Sequence, residues 1–153
     1  MRNAGDELPV RGRLLAVDPG EVRLGLALSD PEQIVAAPLG TLPVDDVDDH
    51  AAIARAVAGA TEGHDVVGIV VGLPRRLDGS EGDAARRSRR TAAALREATG
   101  LPVRVWDERF STTEAERVML AQDASRRERR ASIDRVAASV ILQGVLEAQR
   151  QRR

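Results

Sequence analysis

The 153-residue chain has no cysteine, no lysine and no tyrosine, and only one tryptophan and one phenylalanine. Without cysteine it can form no disulfide, zinc finger or thiol nucleophile. Two aromatic rings make no platform on which a run of bases could stack. Apart from two histidines, every basic side chain is a guanidinium, whose planar fork suits two-point contact with phosphate. No apolar run approaches the length of a membrane span, and no membrane partner is expected. The opening "MRNAGDELPVRG" lacks the apolar core of a signal peptide. It reads as a flexible lead-in over residues 1–12, ahead of a single domain over residues 13–150 in a cytoplasmic protein.

What is present fits a globular domain of ordinary size, with 42% hydrophobic and 31% charged residues. A net charge of −1 conceals segregation: acids gather in "VDDVDD", and arginines in "RRSRR", "RRERR" and the C-terminal "RQRR". Arginines on an exposed helix face are often merely solvated, whereas arginines lining a groove track nucleic-acid phosphates.

Hydrophobic patterning predicts strands in "RLLAVDPG", "EVRLGLALSD" and "VAAPLGTLPV", joined tightly enough for an antiparallel meander. "DDHAAIARAVAGAT" carries Ile53, Ala54, Val57 and Ala58 at helical spacing, and "DVVGIVVGLP" returns as a buried strand. A second helix runs to about Thr99, stopped by Gly100 and Pro102, before a last strand "PVRVWDERF". Ser111 and Glu114 have capping-box spacing and predict a helix after Phe110. A basic loop then precedes a final helix whose stripe is Ile133, Val136, Ala137, Val140, Ile141 and Val145. The expected fold class is α/β: a mixed five-stranded sheet with helices on both faces.

Three carboxylates stand where apolar elements end. Asp18 closes the buried run "LLAV", Glu108 follows "VRVWD", and Asp134 lies beside the apolar stripe of the last helix. Desolvating a carboxylate costs several kcal/mol, roughly, unless a partner, a proton or a metal compensates. Ligand sites in open α/β sheets lie beyond the carboxyl ends of parallel strands, where such acids could converge on magnesium or manganese. Each also has an ordinary structural explanation: a turn cap for Asp18, a helix-dipole partner in Asp134, an ion pair between Glu108 and Arg109. His50 and His64, flanking the first helix, read as surface residues.

"VDPGEVRLGLALSD", "GIVVGLPRRLDGSEG", "VWDERFSTTEAE" and "SIDRVAASVILQG" together resemble the YqgF family, also called RuvX, over nearly the whole chain. The resemblance implies an RNase H-like fold and a nuclease that resolves Holliday junctions or matures pre-16S ribosomal RNA. It places Asp18, Glu108 and Asp134 at the metal-binding catalytic positions, with Mg2+ or Mn2+ as cofactor. Gly72, Leu73, Pro74, Asp78 and Gly79 would form a loop near the site. Arg23, Arg75, Arg76, Arg109, Ser111, Thr112 and Arg130 would meet nucleic acid, the expected partner, with a homodimer as a compatible assembly. Two positions depart from the family pattern: Val22 stands where a lysine is expected, and Ala131 and Ser132 follow Arg130 where a basic pair is usual. Both changes remove positive charge beside the site.

The implied function is metal-dependent hydrolysis of phosphodiesters in structured nucleic acid, with 5′-end maturation of pre-16S ribosomal RNA ahead of junction resolution on DNA. An actin-like or sugar-kinase ATPase also carries Asp-x-Gly on a first strand, but this chain has the length of one lobe and no second such hairpin. A non-catalytic RNase H-like binding module is the remaining alternative, opposed by the intact acids.

Overall fold

The computed structural model describes residues 7–76, 78–107 and 126–152; over residues 126–135 it describes the helical backbone but not the side chains. Five strands, β1 (Arg13–Asp18), β2 (Arg23–Ser29), β3 (Ala36–Pro43), β4 (Val66–Leu73) and β5 (Val103–Asp107), form one sheet in the order β3-β2-β1-β4-β5. The first three are an antiparallel meander, and β1, β4 and β5 run parallel, as the patterning predicts. Helices α1 (His50–Thr61) and α2 (Asp83–Thr99) cover one face, and α3 (Arg126–Arg150) covers the other. The helix expected from residue 111 lies outside the described residues.

Strand alternation divides the core in two. Leu15 and Val17 of β1 join Leu24, Leu26, Ile69 and Val71 under α1 and α2, while Leu14, Ala16, Ala27 and Val70 lie against α3. Both faces of β1 are therefore dry, which is why its sequence is continuously apolar rather than alternating. Local chemistry sets the helix ends. The Asp49 carboxylate accepts the Ala52 N–H at 3.1 Å to cap α1, and Gly100, at φ 70°, closes α2 in the left-handed region. At the β3 edge a bulge at Gly40 and two prolines, Pro38 and Pro43, limit pairing with a further strand.

Three expectations need correction. Residues 7–12 are not a flexible lead-in: Leu8 is only 1% exposed, and the Pro9 carbonyl accepts the amides of Gln33 and Gln149, each at 2.8 Å. Those two glutamines hold the segment across long stretches of sequence that local pattern cannot anticipate. Residues 126–130 are helical rather than a loop, in keeping with the good helix propensity of Arg and Glu. The buried stripe of α3 is also turned from the expected one. Ala137, Ala138, Ile141, Leu142, Val145 and Leu146 are buried, while Val136 and Val140 are only half-buried. Neighbouring helical phases were all apolar there, so packing on the sheet chose between them.

Candidate active site

The carboxyl ends of β1, β4 and β5 share one edge of the sheet, with Gly72 of β4 opposite Trp106 and Leu73 opposite Asp107. Asp18 is the last residue of β1, half-buried, and pairs with Gly25 of β2. Leu14 and Ala16 face α3, so the alternation carries Asp18 to that same face. On β2, Ala27 faces α3, so Gly25 and Arg23 do too. The sheet thus brings Asp18 and Arg23 to one face of one edge, with a residue that lacks a side chain between them.

The turn after Asp18 explains the Pro-Gly that follows. A Cβ at Gly20 would stand 2.5 Å from the Arg23 carbonyl oxygen, so only glycine lets the chain reverse this tightly. Val22, in the same turn, is 72% exposed, and the charge missing at this position is missing from the surface beside Asp18.

Beyond β4, residues 74–76 and 78–82 form the two sides of a small hairpin. Arg75 and Glu81 make an isolated antiparallel bridge, and the Gly79 N–H donates to the Arg76 carbonyl at 2.8 Å with Gly79 at φ 87°. One carboxylate oxygen of Asp78 accepts the Ser80 N–H at 2.9 Å and its hydroxyl at 2.6 Å. The hydroxyl first, then the N–H, holds the Asp78 carboxyl below its usual range. Asp78 and Gly79 thus shape the loop. Arg75 and Arg76, at its base, sit at the candidate edge.

The remaining expected residues divide clearly. Glu108, Arg109, Ser111 and Thr112 lie outside the described residues. Asp134 and Arg130 are in α3, Asp134 four residues before the fully buried Ala138, but their side chains lie outside the described part. Among the described residues, no group of three or more His, Cys, Asp or Glu side chains is placed to hold a metal. Asp18 is the one member of the triad with a described side chain.

The arginines of α2 behave differently from a free phosphate-binding row. Arg86 donates to Asp83 at 2.5 Å, Arg87 lies 3.8 Å from Glu21, and Arg89 grips Glu81 with two bonds of 2.7 and 2.8 Å. The bond from Arg89 holds the Glu81 carboxyl below its ordinary range, and Glu81 in turn raises Arg89. Much of this cluster's charge is paired with acids of the same chain, which composition alone hides. His50 is half-buried rather than freely exposed: its Nδ1 lies 3.2 Å from the Thr91 hydroxyl, joining α1 to α2.

A model of the family described as "RuvX: Holliday junction resolvase" matches residues 12–148. The chain is 44% identical over 140 residues to a provisionally named pre-16S rRNA nuclease of Cereibacter sphaeroides (strain ATCC 17025 / ATH 2.4.3), covering 92% of this chain and 86% of that one. It is 41% identical over 149 residues to a protein of the same name from Rhodopirellula baltica, covering 97% and 84%. The relative of that name in Geobacillus thermodenitrificans is 44% identical over 138 residues, covering 90% and 99%. Among solved structures, RuvC of Thermus thermophilus with a Holliday junction substrate superposes with a TM-score of 0.53 at 17% identity, over 90% of this chain and 95% of that one. The fold is that of the RNase H-like proteins, and the chain belongs to the RuvX family.

Proposed function

We propose that this chain is a divalent-metal-dependent endonuclease that hydrolyses phosphodiesters of structured RNA and matures the 5′ end of pre-16S ribosomal RNA in the cytoplasm. One observation carries the reading: a half-buried carboxylate, Asp18, at the carboxyl end of the sheet's central strand, on one face with Arg23. The names of the curated relatives select the substrate.

Asp18, Glu108 and Asp134 are the residues that would hold the metal. Their donors are all carboxylate oxygens, the set that hard cations such as Mg2+ or Mn2+ prefer. A hard cation bound there supplies charge for the phosphorane-like transition state and lowers the pKa of a water. In the hydrolysis, the water oxygen forms a new bond to phosphorus. The bond to one ester oxygen breaks, and that oxygen leaves with a proton as a strand-end hydroxyl. Arg23 and Arg76 hold the phosphate, joined in this proposal by Arg109, Ser111, Thr112 and Arg130. Asp18, held by a strand buried on both faces, has little freedom to leave its place.

The test is side-by-side incubation of the purified protein with a structured pre-16S RNA 5′ segment and with a synthetic four-way DNA junction, in magnesium and in chelator. Metal-dependent cleavage of the RNA is expected. Cleavage of the junction alone would move the substrate to DNA, and binding to either without cleavage in any divalent metal would make this a binding module.

A further inference from the structure

Arg75 and Arg76 are neighbours in sequence, yet the fold gives them different surroundings. Arg75 Nη1 lies 3.8 Å from Asp107 Oδ2, and its Nη2 lies 3.8 Å from Glu81 Oε2. Glu81 is gripped in turn by Arg89 of α2. Asp107, Arg75, Glu81 and Arg89 therefore form a row of alternating charge. It runs from the end of β5, through the base of the hairpin beyond β4, to the first half of α2. The Arg75 side chain is one-third exposed, with its Nε buried. Arg76 is exposed, and its Nη2 lies 3.0 Å from where a Cβ on Gly82 would stand, so its guanidinium rests on a bare stretch of backbone.

We propose that Arg75 is a positioning residue that fixes the end of β5 against the hairpin and α2, and that Arg76 is the phosphate contact of the pair. This rests on the nuclease reading, because Asp107 directly precedes Glu108. β5 is an edge strand of the described sheet, paired through its backbone with β4 alone. An edge strand's last residue is held weakly by ladder bonds, and a charged tether supplies the constraint that a second neighbour would otherwise give. Two carboxylates flank the Arg75 guanidinium, so little of its positive field is left for a phosphate. Nearby, Asp78 is committed to Ser80, and Asp83 to Arg86, which leaves Arg76 the more available cation. The two arginines thus have separate tasks that the dipeptide does not reveal.

The test compares Arg75→Gln, Arg75→Lys, Arg76→Gln, Asp107→Asn and the Arg75→Gln/Asp107→Asn double variant. For each, kcat and KM are measured on the pre-16S RNA segment, with the salt dependence of RNA binding in chelator and the melting temperature. Arg75→Gln is expected to lower kcat about tenfold to hundredfold, the scale of a small misplacement of a reacting group, and to leave the salt slope at the parent value. Asp107→Asn should do the same, the double variant should lose no more than either single one, and the two melting shifts should not add. Arg75→Lys should recover part of kcat. Arg76→Gln should flatten the salt slope by about 0.7 to 0.9, the loss of one phosphate contact. A flatter slope in Arg75→Gln, an unchanged kcat, or fully additive effects with Asp107→Asn would overturn the proposal. If the parent cleaves no nucleic acid, the nuclease reading fails; the melting cycle and the slope still judge the tether, and additive melting shifts would then overturn it.

Discussion

Asp18 and Gly25 are paired across the antiparallel β1–β2 ladder at the carboxyl end of β1. Directly opposed residues place their Cβ atoms about 4.5–5.5 Å apart, so a side chain at position 25 would stand beside the Asp18 carboxylate. Gly25 itself adds no side chain to that flank. Gly25→Val should retain the strand, since valine suits a buried sheet, while crowding the carboxylate and lowering kcat at least tenfold, an estimate from the cost of small misplacements. Far-ultraviolet circular dichroism and a cleavage assay on one preparation check it. Full activity would mean that the space beside Asp18 has no part in the chemistry.

Replacing Asp18 by Asn separates a metal ligand from a turn former. Asn starts a turn nearly as well as Asp but carries no charge. Cleavage should therefore be lost in magnesium. In chelator the melting temperature should stay equal or rise, because in the proposed set of Asp18, Glu108 and Asp134 the loss of one charge relieves repulsion. An Asn variant that cleaves at the parent rate would reduce Asp18 to the turn.

The segment before β1 should contribute measurably to stability. Leu8 is buried between the sheet and α3, so Leu8→Ala should cost about 2–5 kcal/mol through lost transfer energy and the cavity left behind. Gln149→Ala removes the amide that donates to Pro9 and should cost about 1 kcal/mol. Urea denaturation of the two variants gives both values, and a Leu8→Ala protein as stable as its parent would contradict the packing described.

Acid should weaken the fold in a defined window. The Arg89 bond, and then the charges of Arg89 and Arg75, outweigh the opposing effect of burial and lower the Glu81 carboxyl. In Asp30 burial pushes the carboxyl up, and the N–H groups of Val35 and Ile34, at 2.9 and 2.7 Å, more than offset it. A carboxyl lower in the folded than in the unfolded chain stabilises above its unfolded pKa, near 4, and loses that contribution as pH falls through the folded value. Melting temperature should therefore hold from neutrality to about pH 5 and fall below about pH 4. In Arg89→Gln the fall should be smaller, because the share from Glu81 has gone; an acid limb identical to the parent's would show that the pair adds nothing.

Much of this protein is determined locally and is legible in its residues. The continuous apolar run of β1 announces a strand buried on both faces, Asp49 and Gly100 announce helix ends, and Pro19-Gly20 announces the reversal that leaves Asp18 at a strand terminus. These features depend on steric and hydrogen-bonding preferences that act within a few residues. Tertiary structure decided the rest. Which face of the sheet Asp18 shares with Arg23 follows from the pairing of β1 with β2 and from where α3 packs. Whether an arginine is free or tied depends on acids far away in sequence, as with Arg87 and Glu21, or Arg75 and Asp107. The phase of α3 was open because several neighbouring phases are apolar, and the lead-in looked loose because its partners, Gln33 and Gln149, are remote. Periodicity reports how a segment is shaped; only long-range packing selects what that segment is set against.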